Sequence, residues 1–153
     1  MRIHPRSLRD RRAFVDSSAY LALLDRKDEH YQEAVDVVSA LADQEYRQFT
    51  TNVLLIEAHA LILSTLGIAP AVRFIRNLRQ SKTVTVRVRQ GDEDNALQLL
   101  DHYQDKDFSF TDAISFVVME RLGIHLAFTF DHHFAQYGFT ILTPDLLSSS
   151  SDF

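Results

Sequence analysis

Arg11-Arg12-Ala13-Phe14-Val15-Asp16-Ser17-Ser18 is the stretch from which the rest of the chain can be read. Its apolar run is short enough for a buried strand, and it ends on an acid followed by two serines. A strand that feeds directly into a helix start is the opening of a βα unit, and a short helix is expected over residues 18–25. The alternation then continues. Residues 28–42 place acids at a helix's positive end and Ala34, Val37, Val38 and Leu41 on one face. Residues 47–51 read as a second strand, after which Thr51 or Asn52 can cap a helix over 53–66. Gly67 stops that helix, and the next runs over 70–80 with Pro70 in the allowed first turn. Residues 83–89 alternate strictly and are β-branched, predicting a strand with one polar face. A helix is expected over 92–103 and another over 111–121, capped by Thr111 and stopped by Gly123. Short strands close the pattern at 126–130 and 139–142. The fold class is therefore α/β with a mostly parallel central sheet, whose ligands belong outside the carboxyl ends of the strands.

Composition narrows the function classes. At 153 residues the chain is most simply one domain with a real core, and 46% apolar with 24% charged residues is ordinary for a soluble protein. The absence of cysteine removes disulfide frameworks and thiolate metal sites. The first residues lead into no apolar signal segment, and the most apolar stretch, 53–63, is interrupted by Glu57 and His59. A cytoplasmic protein with no membrane association is expected. The net charge of −5 argues against non-specific nucleic-acid binding, but charge is unevenly spread. Arg2, Arg6, Arg9, Arg11 and Arg12 form a basic arm, set apart as residues 1–12. Arg73, Arg76, Arg79, Lys82, Arg87 and Arg89 fall in a window without an acid, whereas residues 92–112 hold seven acids and only Lys106. Such runs read either as solvated faces or as a basic rim around an acidic centre. The domain proper is assigned to 13–147, and the serine-rich residues 148–153 read as a disordered tail.

Four acids stand in apolar surroundings: Asp16, Glu57, Asp112 and Asp131. No Lys or Arg lies within three positions of any of them, and burying a carboxylate without compensation is costly. Singly, each has an ordinary explanation: a strand-end turn for Asp16, a helix N-terminus for Asp112, a turn for Asp131. Glu57 resists one, because Val53, Leu54, Leu55, Ile56, Leu61, Ile62 and Leu63 surround it and leave it little exposed surface. Glu57 and His59, two residues apart on a helix, point about 200° from one another and cannot serve one site. Together the four acids suggest an all-oxygen site for a hard divalent cation, Mg²⁺ or Mn²⁺.

With these residues in view the chain resembles the PIN-domain nucleases, most closely the VapC-type toxins of bacterial toxin–antitoxin pairs. The likeness is carried by Phe14-Val15-Asp16-Ser17-Ser18, Ile56-Glu57-Ala58, Phe108-Ser109-Phe110-Thr111-Asp112-Ala113-Ile114-Ser115 and Thr129-Phe130-Asp131-His132-His133-Phe134. The resemblance implies a three-layer α/β/α fold and metal-dependent cleavage of RNA. It makes Asp16, Glu57, Asp112 and Asp131 the catalytic and metal-holding acids. Ser17 or Ser18 and Thr111 match its supporting polar positions. Asp107 matches a further acid sometimes found there and is read as an exposed loop residue. His132 and His133 are not usual ligands of the family and are placed at the rim. A homodimer and a cognate antitoxin are the implied partners, and Arg73, Arg76, Arg79, Arg87 and Arg89 are the expected RNA contacts. The Arg-rich arm inherits no role.

Three rivals remain at this point. One is a PIN-like domain in RNA processing outside toxin–antitoxin systems, and another is a degenerate domain used only for binding. The third is a phosphotransfer or phosphatase α/β domain. It would need paired acids near the first strand with a late Lys, or Asp-x-Asp after that strand. Asp16 is followed by Ser17-Ser18, and no Lys follows Lys106.

Overall fold

The computed structural model describes residues 10–150. Five strands, β1 (Arg12–Val15), β2 (Arg47–Thr51), β3 (Val84–Val86), β4 (Leu126–Phe128) and β5 (Thr140–Ile141), alternate with eight helices among the described residues. In chain order the helices are α1 (Ser17–Leu24), α2 (Tyr31–Asp43), α3 (Asn52–Leu66), α4 (Ile68–Gln80), α5 (Gln90–His102), α6 (Phe110–Leu122), α7 (His133–Tyr137) and α8 (Pro144–Ser150). All strand pairs are parallel, in the order β3-β2-β1-β4-β5. The chain builds outward from β1 through β2 to β3, then returns to add β4 and β5 on the other side. The direction reverses between β1 and β4, the point beyond whose carboxyl ends such sheets place their ligands.

Side-chain alternation along β1 sets up two cores. Ala13 and Val15 face a layer built from Ala19 and Tyr20 of α1, Val37 and Leu41 of α2, Ile62 of α3 and Phe74 of α4. Phe14 points the other way, into a layer of Leu99 from α5, Phe116 and Met119 from α6 and Phe134 from α7. Leu126 and Phe128 join the first core and Ala127 the second, so the sheet is covered on both faces in a three-layer α/β arrangement.

Local chemistry explains the boundaries. The Thr51 hydroxyl accepts from the Leu54 N–H at 3.0 Å and caps α3, deciding between the two candidate caps. Asn52 is used otherwise: its side chain accepts from the Val88 N–H at 2.8 Å. That bond draws the chain away from the sheet, so β3 covers only Val84–Val86 of the expected 83–89. Ser109, not Thr111, caps α6, and Gly123 ends it in the left-handed region at φ 71°. Helices α7 and α8 were not expected. α8 carries the chain through Ser150, so the supposed tail begins inside a helix; residues 151–153 lie outside the described ones, as do residues 1–9 of the basic arm. Of that arm, Arg12 is structural: it pairs with Asp10 and donates to the Leu122 and Gly123 carbonyls at 2.8 and 3.1 Å, tying β1 to the end of α6.

The orientation of α6, which carries Asp112, also depends on its packing against α5. There Arg121 meets the buried Asp92 through two bonds of 2.9 Å. Burial would raise the Asp92 pKa, but the Arg121 guanidinium and the Arg89 N–H hold it below the usual carboxylate range. Arg121→Met should lower unfolding stability in urea by about 2–3 kcal/mol, because it strands a buried charge. Adding Asp92→Asn to that variant should cost less than the sum of the two single changes. Additive losses would show that the pair is not coupled.

Candidate active site

The acids stand in two neighbourhoods beyond the carboxyl ends of β1 and β4: Asp16 with Glu57, and Asp112 with Asp131. Asp16 directly follows β1 and holds the N-cap position of α1, yet its side chain makes no cap bond there. Its Oδ2 accepts instead from the Ser18 hydroxyl at 2.7 Å and the Thr129 hydroxyl at 2.8 Å. Thr129 follows β4, so this carboxylate joins the two sides of the topological switch. Ser18 Oγ also receives the Phe130 N–H, and Thr129 Oγ1 receives the Asp131 N–H, both at 3.0 Å. Ser17 donates to Glu57 across the α1–α3 contact, bringing that acid beside Asp16. α3 is not enclosed all round, as its apolar flank had suggested: Ile56 is 64% exposed, and Glu57 is half-buried.

On the other side, Asp112 serves the helix that carries it. Its Oδ2 accepts from the Ser109 N–H at 3.1 Å while Ser109 caps α6, a reciprocal capping box. The same oxygen lies 2.9 Å from His133 Nδ1, which is 3.1 Å from Asp131 Oδ1. Asp131 Oδ1 also receives the His133 N–H at 2.9 Å. His133 therefore belongs inside the site, linking two of the acids, and not at the rim. It starts α7, a short helix that the sequence had not suggested. His132 is at the rim, with its side chain 74% exposed. Thr111 contributes none of these bonds; Ser18 and Thr129 fill the polar role, and Thr129, though part of the last of the quoted motifs, is not among the polar positions the sequence pointed to. Asp107 is exposed, as read.

In all four acids one carboxylate oxygen is engaged and the other is nearly free. Among the described residues, no hydrogen bond reaches Asp112 Oδ1, Asp131 Oδ2 or Glu57 Oε2, and Asp16 Oδ1 receives only a long 3.5 Å contact from Ser17. None of the four pairs with a Lys or Arg among those residues; the arginines held in ion pairs are Arg12 and Arg121. Burial pushes the Asp16 pKa up to about 6 against the pull of the Ser18, Thr129 and Ser17 hydrogen bonds, and the Glu57 charge adds to the rise. Asp112 is raised too, first by burial and then by Asp131, while the Ser109 N–H and His133 oppose the shift. Burial is thus the larger cause and crowding of like charges the smaller one. Carboxylate oxygens that are oriented and partly free, with no Lys or Arg paired to them among the described residues, fit a hard divalent cation.

Five exposed arginines lie away from this centre. Arg73, Arg76 and Arg79 are on α4, and Arg87 and Arg89 follow β3. Arg79 and Arg87 line one cleft with Asn52, Thr83 and Thr85, whereas Arg73 borders an apolar groove between α1 and α4.

A group whose pKa is higher in the folded than in the unfolded state adds stability below the unfolded value and loses it as pH rises through the folded value. For Asp16 that window runs from about 3.8 to about 6. In EDTA, the stability of Asp16→Asn relative to wild type should improve by about 2 kcal/mol between pH 4 and pH 7. Urea unfolding across this range measures it; a difference that stays flat with pH would mean that the folded protein does not strain this charge.

Comparison with known proteins agrees with this geometry. The PIN domain family model matches residues 13–140. The 23S rRNA-specific endonuclease VapC20 of Mycobacterium tuberculosis is 32% identical over 133 residues, covering 86% of this chain and 98% of that protein. A VapC ribonuclease of Archaeoglobus fulgidus is 29% identical over 126 residues, covering 80% of this chain and 79% of its own. The crystal structure of M. tuberculosis VapC20, described as a sarcin-ricin loop cleaving toxin, superposes with a TM-score of 0.80 at 28% identity, covering 86% of this chain and 99% of that one. These likenesses displace the phosphotransfer and phosphatase alternatives, and the chain belongs to the PIN-domain family, alongside its VapC-type members.

Proposed function

We propose that this protein is a metal-dependent endoribonuclease and the toxin of a toxin–antitoxin pair. The observation that carries the reading is the group of four acids at the switch point, each with one oxygen held and the other open. Asp16, Asp112, Asp131 and Glu57 would hold Mg²⁺ or Mn²⁺. A bound divalent cation supplies charge neutralisation at the scissile phosphate and lowers the pKa of water. The protein's own share is orientation. Ser18 and Thr129 fix the Asp16 carboxylate, Ser17 fixes Glu57, and His133 holds Asp112 beside Asp131. Relatives named as an rRNA endonuclease and a ribonuclease support RNA as the substrate. Arg73, Arg76, Arg79, Arg87 and Arg89 are assigned to its phosphates.

The partners in this reading are a second copy of the chain and an antitoxin protein. Apolar surface is available to both: Ile56 and Leu63 on α3 and Ile68 and Val72 on α4 are exposed, and the groove bordered by Tyr20, Leu24, Pro70 and Phe74 measures about 490 Å³. No helix among the described residues is long and apolar enough to cross a membrane, and we assign the protein to the cytoplasm.

The purified chain should cleave RNA with Mg²⁺ or Mn²⁺ and stop in EDTA, with 23S rRNA as the first substrate to test. Asp16→Asn and Asp112→Asn should each lose at least about a hundredfold in rate, the scale of several kcal/mol of charge stabilisation. Undiminished cleavage in EDTA, or by both variants, would refute the assignment. For the arginines, replacing one phosphate contact by Ala should weaken RNA binding and reduce its log–log salt slope by about one unit. Wild-type binding and slope in all five variants would make the patch a solvated face.

A further inference from the structure

Beside the acids lies a pair of rings that the catalytic reading does not use. Phe130 sits between Thr129 and Asp131, and its N–H is bonded to Ser18 Oγ, so its backbone is fixed by the same hydroxyl that holds Asp16. The His30 ring stacks on Phe130 with centroids 4.4 Å apart and planes only 8° from parallel. Phe128 braces Phe130 edge-on at 6.0 Å. The His30 backbone is held as well: its N–H donates to Asp28 Oδ1 at 2.8 Å, in the turn that precedes α2. Of the other aromatic residues near the site, Phe108, Phe116 and Phe134 are buried within the α6–α7 layer and consumed by packing, while Phe110 at the start of α6 is 44% exposed but has no ring stacked behind it among the described residues. The His30 side chain remains 40% exposed, and among the described residues no second ring covers it.

The fold gives no reason for a histidine here. His30 occupies the N-cap of α2, where Ser, Thr, Asp or Asn would serve the helix better, and its side chain makes no cap bond. Its nearest charged neighbour is Glu29, whose exposed carboxylate is 3.4 Å from Nε2. A flat ring, pre-stacked on one side, rigidly mounted and open at the lip of a phosphodiesterase centre has the form of a base-stacking platform.

We propose that His30, backed by Phe130, stacks an unpaired nucleobase of the RNA substrate and so positions the adjoining phosphate at the acids. This deepens the endoribonuclease reading and rests on it. The substrate class becomes RNA with an unstacked base next to the cleaved bond, in a loop or single strand. A base locked in a duplex cannot reach the ring without being unpaired.

The chain contains no tryptophan, so His30→Trp introduces a single fluorescent reporter. In an Asp16→Asn background, which keeps the RNA intact, a single-stranded oligoribonucleotide labelled for anisotropy should bind and quench the Trp with the same midpoint. The matching duplex should quench less. With the native ring restored, His30→Ala should weaken single-strand binding about tenfold, within the range of one base–aromatic stack. His30→Tyr should recover it, and all variants should melt like their parent. RNA that binds by anisotropy without quenching, or a Tyr variant as weak as Ala, overturns the platform. No RNA binding by any form at low salt overturns the endoribonuclease reading beneath it.

Discussion

The Asp16 carboxylate, held by the hydroxyls of Ser18 and Thr129, is the contact on which the arrangement of the site depends. It joins the end of β1 to the segment after β4 across the one place in the sheet where strand order reverses. Those two hydroxyls also receive the backbone N–H groups of Phe130 and Asp131, so the position of the acid and the path of the β4 loop are fixed together. The arrangement is costly. A buried carboxylate whose pKa is driven up to about 6 is unfavourable in the folded protein at neutral pH, and hydroxyl donors offset only part of that penalty. A cation binding only the folded state would offset more of it, converting a local instability into affinity.

Asp112 solves the same problem differently. It satisfies an N–H at the start of α6, which any helix start requires, and leaves its remaining oxygen without a hydrogen bond among the described residues. The structural and functional readings of this residue are therefore not rivals. His133 adds a link to Asp131, so that α6 and α7 cannot shift independently without breaking a contact at the site. Farther out, the Asp92–Arg121 pair and the bonds from Arg12 to Leu122 and Gly123 hold the far end of α6. The acid at one end of the helix is thus steadied by ionic contacts at the other.

Much of this was legible in the sequence because it rests on local rules. β2 spans residues 47–51 as expected, and Gly67 and Gly123 end their helices through positive φ. The alternation of strands and helices dictated a parallel α/β sheet, and acids in apolar frames without nearby cations marked the candidate site residues before any contact was visible. Errors arose where a residue's partner is distant in the chain. Asn52 takes Val88 away from β3, an interaction 36 residues long that no alternation pattern contains. Thr129 lies in a motif that the sequence showed, but its bond to Asp16 spans 113 residues and follows from no local pattern.

By itself, then, the sequence determined the parallel α/β class and most of the strand–helix order, and it singled out the four acids as candidates, since each follows from periodicity or from the cost of a charge among apolar neighbours. Only the tertiary structure decided how those acids are held. Which oxygen of each carboxylate is engaged, that His133 stands between Asp112 and Asp131, and that His30 lies flat on Phe130 all depend on distances between segments far apart in the chain. Hydrogen bonds and ring contacts are directional and act over a few ångströms, so they exist only once the packed layers have brought their donors, acceptors and faces together.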